Sequence, residues 1–124
     1  LAIRARLGSY GTHAQAPGWF TTAPIGAIKQ ALKRSDLTVE DVDLWEINEA
    51  FAAQACYVSR ELDLDPAKVN PNGGAIALGH PVGATGCIIT IKALYELERI
   101  GGGKGLITMC IGGGQGIAIA IESV

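Results

Sequence analysis

Seventeen residues in the middle of the chain, Asn70 to Gly86, hold five glycines, two prolines and two asparagines. So many breakers leave no room for a regular element of ordinary length, so the stretch is a shaped loop that lets backbone approach a ligand or another segment closely. The fold must be built by what flanks it. Downstream, Ala84 to Ile100 carries the longest helical pattern, apolar on all sides in its first half, which predicts a buried helix that Gly101 to Gly103 stop. Leu106–Ile111 and Ile117–Ile121 follow as strands joined through Gly112 to Gln115, an antiparallel hairpin expected at the sheet edge.

Upstream, Leu1, Ile3, Ala5 and Leu7 have the period-2 spacing of a half-buried strand, and Gly8 to Phe20 reads as loop. Pro24, Ile25, Ile28, Ala31 and Leu32 mark a helix with its proline in the first turn. Thr38 to Asp41 has capping-box form and predicts a short helical turn. Val42 to Ile47 is a strand ending at Asn48, and Ala50 to Leu62 is a helix with Phe51, Ala55 and Val58 on one face. Strands alternating with helices imply an α/β layered domain, and 124 residues suit about one domain.

Charged residues make up 18% of the chain against ~25% in ordinary soluble domains, while apolar residues reach 48%. That imbalance points to a sheet covered on both faces or to a surface meant for a partner. The net charge of −2, without a basic stripe, argues against nucleic acid and anionic membranes as partners. No apolar run approaches the ~18 residues of a membrane span, and no secretory signal is visible. Cys56, Cys87 and Cys110 are an odd set without Cys-x-x-Cys spacing, which predicts neither a disulfide framework nor a metal site and fits a reducing compartment. The strand-like first residues and the missing initiator Met lead us to expect a domain of a longer protein.

Three clusters sit where strands or helices end, the usual place for chemistry on α/β scaffolds. Asn48-Glu49-Ala50-Phe51 lies at a strand-to-helix junction, where Asn is equally at home as a plain N-cap and Glu49 favours the helix N-terminus. His80 stands between Gly79 and Pro81 just before the longest helix. Its position is tightly held, which favours function over a structural role. Cys110 precedes Gly112, Gly113 and Gly114. It is either an inert strand residue or a thiol facing a cleft whose backbone N–H groups bind an oxyanion. Cys56 and Cys87 fall in helices as packing residues, and His13 falls in a polar loop, solvated. Gly101 to Gly105 lacks phosphate-loop spacing, and no G-x-G-x-x-G is present.

Taken together, Asn-Glu-Ala-Phe at 48–51, Gly-Gly-Ala-Ile-Ala-Leu-Gly-His-Pro at 73–81 and Cys-Ile-Gly-Gly-Gly-Gln-Gly at 110–116 resemble the C-terminal signatures of thiolases. The intervals of 32 positions from Asn48 to His80 and 30 from His80 to Cys110 fit as well. The resemblance implies a thiolase-like half, a five-stranded mixed sheet covered by helices, with the helix after His80 sandwiched against a similar N-terminal half that is absent from these residues. It implies a reversible Claisen condensation between CoA thioesters, with no bound cofactor. By the same resemblance His80 activates a nucleophilic cysteine of the N-terminal half, and Cys110 moves a proton at the substrate α-carbon. Asn48, through a water, and His80 hold the enolate oxygen, while the Gly112 N–H helps hold tetrahedral intermediates. Ala50 and Phe51 border the pantetheine. The implied partners are acyl-CoA or CoA and the thiolase N-terminal domain, in a homodimer or homotetramer of the cytoplasm or an organelle matrix, not secreted. The residues by themselves are expected to be inactive without the nucleophile. Two rival readings are a non-catalytic thiolase-like binding or assembly module and a decarboxylating ketoacyl synthase, which carries a different residue where Cys110 stands.

Overall fold

The structure, a computed structural model, describes residues 1–124. Strand β1 (Ala5–Ala14) leads through a 3-10 segment (Pro17–Thr22) into helix α1 (Ala23–Arg34). Strand β2 (Leu44–Ile47), helix α2 (Ala52–Glu61), a single helical turn α3 (Ala75–Leu78) and helix α4 (Thr85–Arg99) follow. Strands β3 (Lys104–Ile111) and β4 (Gln115–Ser123) close the chain. One mixed sheet orders the strands β1-β4-β3-β2. β2 runs parallel to β3 with Ile47 opposite Thr108, and the other two pairings are antiparallel.

β2, β3 and β4 are covered on both faces, one of the two readings of the low charged fraction, whereas β1 is largely exposed. On one face Trp45, Ile47, Leu106 and Ala118 pack against Ile28 and Ala31 of α1 and Val58 of α2. On the other, Leu44, Ile107 and Ile121 meet Ile89, Ala93 and Leu97 of α4. The alternation of Leu44 with Trp45 and of Leu106 with Ile107 sends neighbouring side chains into opposite layers. Helices on both faces of a mixed sheet satisfy the α/β expectation.

The sheet has four strands, not five. Where a fifth would pair with the outer edge of β2, Val69 makes an isolated parallel bridge with Trp45. Beside it the Asn70 side chain accepts from the Ile47 N–H at 2.8 Å and donates to the Ile47 carbonyl at 2.8 Å. One amide side chain therefore satisfies both backbone groups that a neighbouring strand would have engaged. The β3–β4 hairpin is also not at an edge. β1 pairs along all of β4, and β2 covers the far side of β3. β1 itself runs on to Ala14, through residues read as loop, with a register shift between Leu7 and Tyr10. Its Gly11 is buried, and a Cβ there would overlap the backbone of α1 at Ala27 and Ala31, so the small residue sets how closely helix and strand pack. His13 is likewise not solvated: it lies in β1, half-buried against Gly26 of α1.

Three further expectations change. Thr38 to Asp41 is a turn, in which the Asp41 carboxylate accepts from the Thr38 N–H at 2.8 Å and hydroxyl at 2.9 Å. Helix α4 is buried only on its sheet side. Ile88, Ile91 and Tyr95 on its outer side are exposed. Cys56 and Cys87 lie in helices but are exposed, and all three cysteines are unpaired. No helix is long and apolar enough to cross a membrane.

Candidate active site

Asn48 extends β2 by one more rung, its N–H donating to the Thr108 carbonyl at 2.9 Å. Helix α2 does not begin until Ala52, with Phe51 as its N-cap, so Asn48 is not a helix cap. Its side chain is instead buried and turned across the end of the sheet. There Asn48 Nδ2 lies 3.4 Å from Nε2 of His80.

Glu49 is the link between these two segments. Its Oε2 accepts from the Ile76 N–H at 3.0 Å, and its Oε1 accepts from Asn70 Nδ2 at 3.3 Å. The carboxylate thus caps α3, a helical turn far away in sequence, where its negative charge meets free N–H groups. It can reach there because residue 74 is glycine: a Cβ would overlap the Glu49 carboxylate. Gly79, at φ +95°, ends α3 and presents His80 at the exposed rim. The glycines of this loop therefore serve a carboxylate cap and a sharp exit.

His80 Nδ1 lies 2.6 Å from Thr85 Oγ1, which donates to the Pro81 carbonyl at 3.0 Å. With the hydroxyl proton committed to Pro81, Thr85 accepts from Nδ1–H. Nε2 is then left with its lone pair, towards Asn48 Nδ2–H and the outside. This is an imidazole with one ring nitrogen tied down and the other available as a base.

Cys110 lies at the same end of the sheet. Thr108 stands opposite Ile47, and Cys110 is two residues further along β3, roughly 7 Å. No hydrogen bond joins its thiol to Asn48 or His80. It is half-buried, and burial pushes the thiol above its ordinary range, so it holds its proton at neutral pH. The next turn is exposed at Gly112 and Gly113, and the Gly112 N–H has no acceptor within the chain. Ala50 is half-buried, and Phe51 is exposed, edge-on to Phe20 at 6.0 Å between ring centroids. Phe20, Phe51 and Tyr57 border a groove of ≈ 500 Å³.

The structure thus brings Asn48 and His80 together and leaves Cys110 and Gly112 nearby without direct contact. Thr85, Asn70 and Glu49 as a remote cap are the supporting residues that sequence reasoning missed. So is an ion pair between buried Glu46 and half-buried Lys92, Nζ to Oε2 at 2.8 Å, on the α4 side of the sheet. One signal was available: Glu46 and Lys92 are lone charges within otherwise uncharged, mostly apolar runs, Leu44–Ile47 and Ile88–Leu94. No group of three or more His, Cys, Asp or Glu converges to hold a metal ion.

A basic ring nitrogen beside an Asn amide and a free glycine N–H near a cysteine can together move a proton and bind an oxyanion. The family model described as thiolase, C-terminal domain, matches residues 1–123, and the chain belongs to the thiolase family. It is 58% identical over 97% of its length to "Beta-ketothiolase BktB" of Cupriavidus necator, of which it covers 30%. It is 50% identical over 95% of its length to the cytosolic acetyl-CoA acetyltransferase of Mus musculus, again covering 30%. Among solved structures, the Bacillus anthracis acetyl-CoA acetyltransferase superposes at TM-score 0.97 with 46% identity, over 100% of this chain and 32% of that one. Human mitochondrial 3-ketoacyl-CoA thiolase in complex with CoA gives 0.94 and 49%, over 97% and 30%. The chain therefore spans about a third of the length of these relatives, corresponding to their C-terminal domain.

Proposed function

We propose that these residues are the C-terminal half of a thiolase, acting with an N-terminal half in reversible Claisen condensation between CoA thioesters. The observation that carries this is His80, with Nδ1 held by Thr85 and Nε2 open beside Asn48 Nδ2. That edge takes the proton from a nucleophilic cysteine of the N-terminal half, which accepts the acyl group and releases CoA. Cys110 exchanges a proton with the α-carbon of the second acyl-CoA: in cleavage the thiol, protonated at neutral pH, gives its proton to the enolate carbon, and in condensation the thiolate takes one from it. Asn48 Nδ2, through a water, and His80, through the Nε2–H it gains from the nucleophilic cysteine, hold the enolate oxygen, while CoA leaves as its thiolate and takes a proton from solvent. The Gly112 N–H, which has no internal acceptor, serves the tetrahedral intermediates. Ala50 and the exposed Phe51 ring border the thioester end of the pantetheine, beside the groove along Phe20 and Tyr57. The exposed apolar side of α4 is the surface on which the N-terminal half rests.

The test is a fusion of residues 1–124 behind the N-terminal two-thirds of the Cupriavidus necator relative. We expect 3-ketoacyl-CoA thiolysis, and in Cys110→Ala we expect exchange of labelled CoA into acyl-CoA to survive while condensation disappears. A Cys110→Ala fusion condensing at the unmodified rate would overturn the assignment of the proton carrier. A fusion that is folded but inert in both half-reactions would overturn the function.

A further inference from the structure

Behind the Asn48–His80 pair, between β2, α3 and α4, lies a cavity of ≈ 10 Å³, about what a single water needs. Glu46, Asn48 and Lys92 all line it. Glu46 and Asn48 are two residues apart on β2 and share its α4 face, and each presents one buried oxygen without a partner, Glu46 Oε1 and Asn48 Oδ1. Lys92 has three N–H groups, of which one goes to Glu46 Oε2 and one to the Gly73 carbonyl, in the loop that carries His80. Two open acceptors and one spare donor thus belong to three residues that line one water-sized space.

We infer that Glu46 and Lys92 are a positioning pair for the active site, joined by one enclosed water to Asn48 so that its Nδ2 is held towards His80. The water donates to Glu46 Oε1 and Asn48 Oδ1 and accepts the third Lys92 N–H, closing all three open valences with the number of bonds usual for a buried water. Because Oδ1 is engaged on the inner side, the amide cannot flip, and Nδ2 remains on the outer side where the proposed chemistry takes place. Through the Gly73 carbonyl the same ammonium ties down the loop that α3 and His80 continue. A buried ion pair contributes little net stability compared with well-packed apolar residues, so its presence in an apolar layer calls for a different role. Burial pushes the Glu46 carboxyl above the usual carboxylate range while Lys92 pulls the other way, as expected for a charge kept inside at a cost.

This inference rests on the thiolase reading for its catalytic meaning, but its test does not. In the 124-residue chain, exchange of the Asn48 side-chain amide protons with solvent is followed by NMR in the unmodified chain, in Lys92→Met and in Glu46→Gln/Lys92→Met. We expect exchange at least ten-fold faster in both variants. The double variant, free of an unpaired buried charge, should melt near the unmodified chain. Val58→Ala, which loosens the opposite core layer, should leave Asn48 exchange within about two-fold. Unchanged exchange in Lys92→Met overturns the inference whatever the kinetics. In the fusion, both ion-pair variants should lose about 10- to 100-fold in kcat with KM within about two-fold, by analogy with the outer-shell residues that orient metal ligands. A double variant with unmodified kcat overturns the positioning role. An unmodified fusion without activity overturns only the thiolase reading, and the exchange data still decide the placement of Asn48.

Discussion

A neutral histidine exchanges its single N–H between two inequivalent ring nitrogens, and in solvent neither tautomer is fixed. At His80 the choice is made by Thr85, whose hydroxyl proton is committed to the Pro81 carbonyl and whose oxygen accepts from Nδ1–H. Thr85→Val keeps the shape and deletes the acceptor, so we expect the ring to lose its tautomer bias and the fusion to lose about 10- to 100-fold in kcat, at little cost in melting temperature. Ring ¹⁵N shifts in the isolated chain report the tautomer directly, and an unchanged Nδ1–H population in Thr85→Val would refute this. A second residue-scale effect is electrostatic. Hydrogen bonds from Arg99 and Asn72 hold the Glu96 carboxyl down to about 2 from an ordinary 4.5. The unfolded chain therefore takes up that proton first. The stabilisation is complete above the ordinary value and is lost as the pH falls from there towards about 2. Glu46 has the opposite sign, since burial raises it and protonation relieves its cost. Glu96→Gln should flatten the acid limb of a stability–pH curve, whereas Glu46→Gln should steepen its upper part. Parallel limbs in acid titrations of the two variants would contradict both assignments.

At the scale of elements, the short turn α3 exists because a carboxylate from another segment caps it. Four residues are too few to sustain a helix alone, and Ala75–Leu78 has no side-chain cap of its own. Gly74→Ala would drive a methyl group into the Glu49 carboxylate. We expect this to cost about 1–3 kcal/mol, measured by denaturant titration, and to lower activity of the fusion by loosening the exit to His80. Unaltered stability and rate would mean that the cap is dispensable. This cap also shows where the sequence stops being legible. Periodicity placed α1, α2, α4, β2 and the hairpin within a few residues, because each buries a face against its own layer. It could not place Glu49 on α3 or Asn70 on the edge of β2, since those bonds join residues 27 and 23 positions apart and leave no local pattern. For the same reason the hairpin was read as an edge: whether another strand lies beyond β4 depends on where β1 goes, and Gly8 to Ala14 looks like loop until paired. The Asn48–His80 meeting was visible only through the family motifs.

For the molecule as a whole, the unresolved mismatch is between the two sides of α4. Ile89, Ala93 and Leu97 are buried against the sheet, while Ile91 is 52% and Tyr95 59% exposed, Ile88 on the same helix side is exposed, and so are Leu78 and Val82 before the helix. Several large apolar side chains exposed along one helix side, though Arg4 lies over the Tyr95 ring, mark a candidate interaction site. The proposed occupant, the N-terminal half, makes a prediction with two signs. Ile91→Lys places a charge on the outer side of α4 without touching the core. In the isolated chain it should reduce self-association, seen as a lower weight-average mass by sedimentation, and leave the melting temperature nearly unchanged. In the fusion the same lysine would be buried against the other half without a partner, so stability should fall by about 1–3 kcal/mol and activity with it. Ile91→Met, close in volume and apolar, should do neither. If the lysine variant of the fusion melts with the unmodified protein, then α4 faces solvent in the full assembly, and the surface on which the two halves meet must be sought elsewhere.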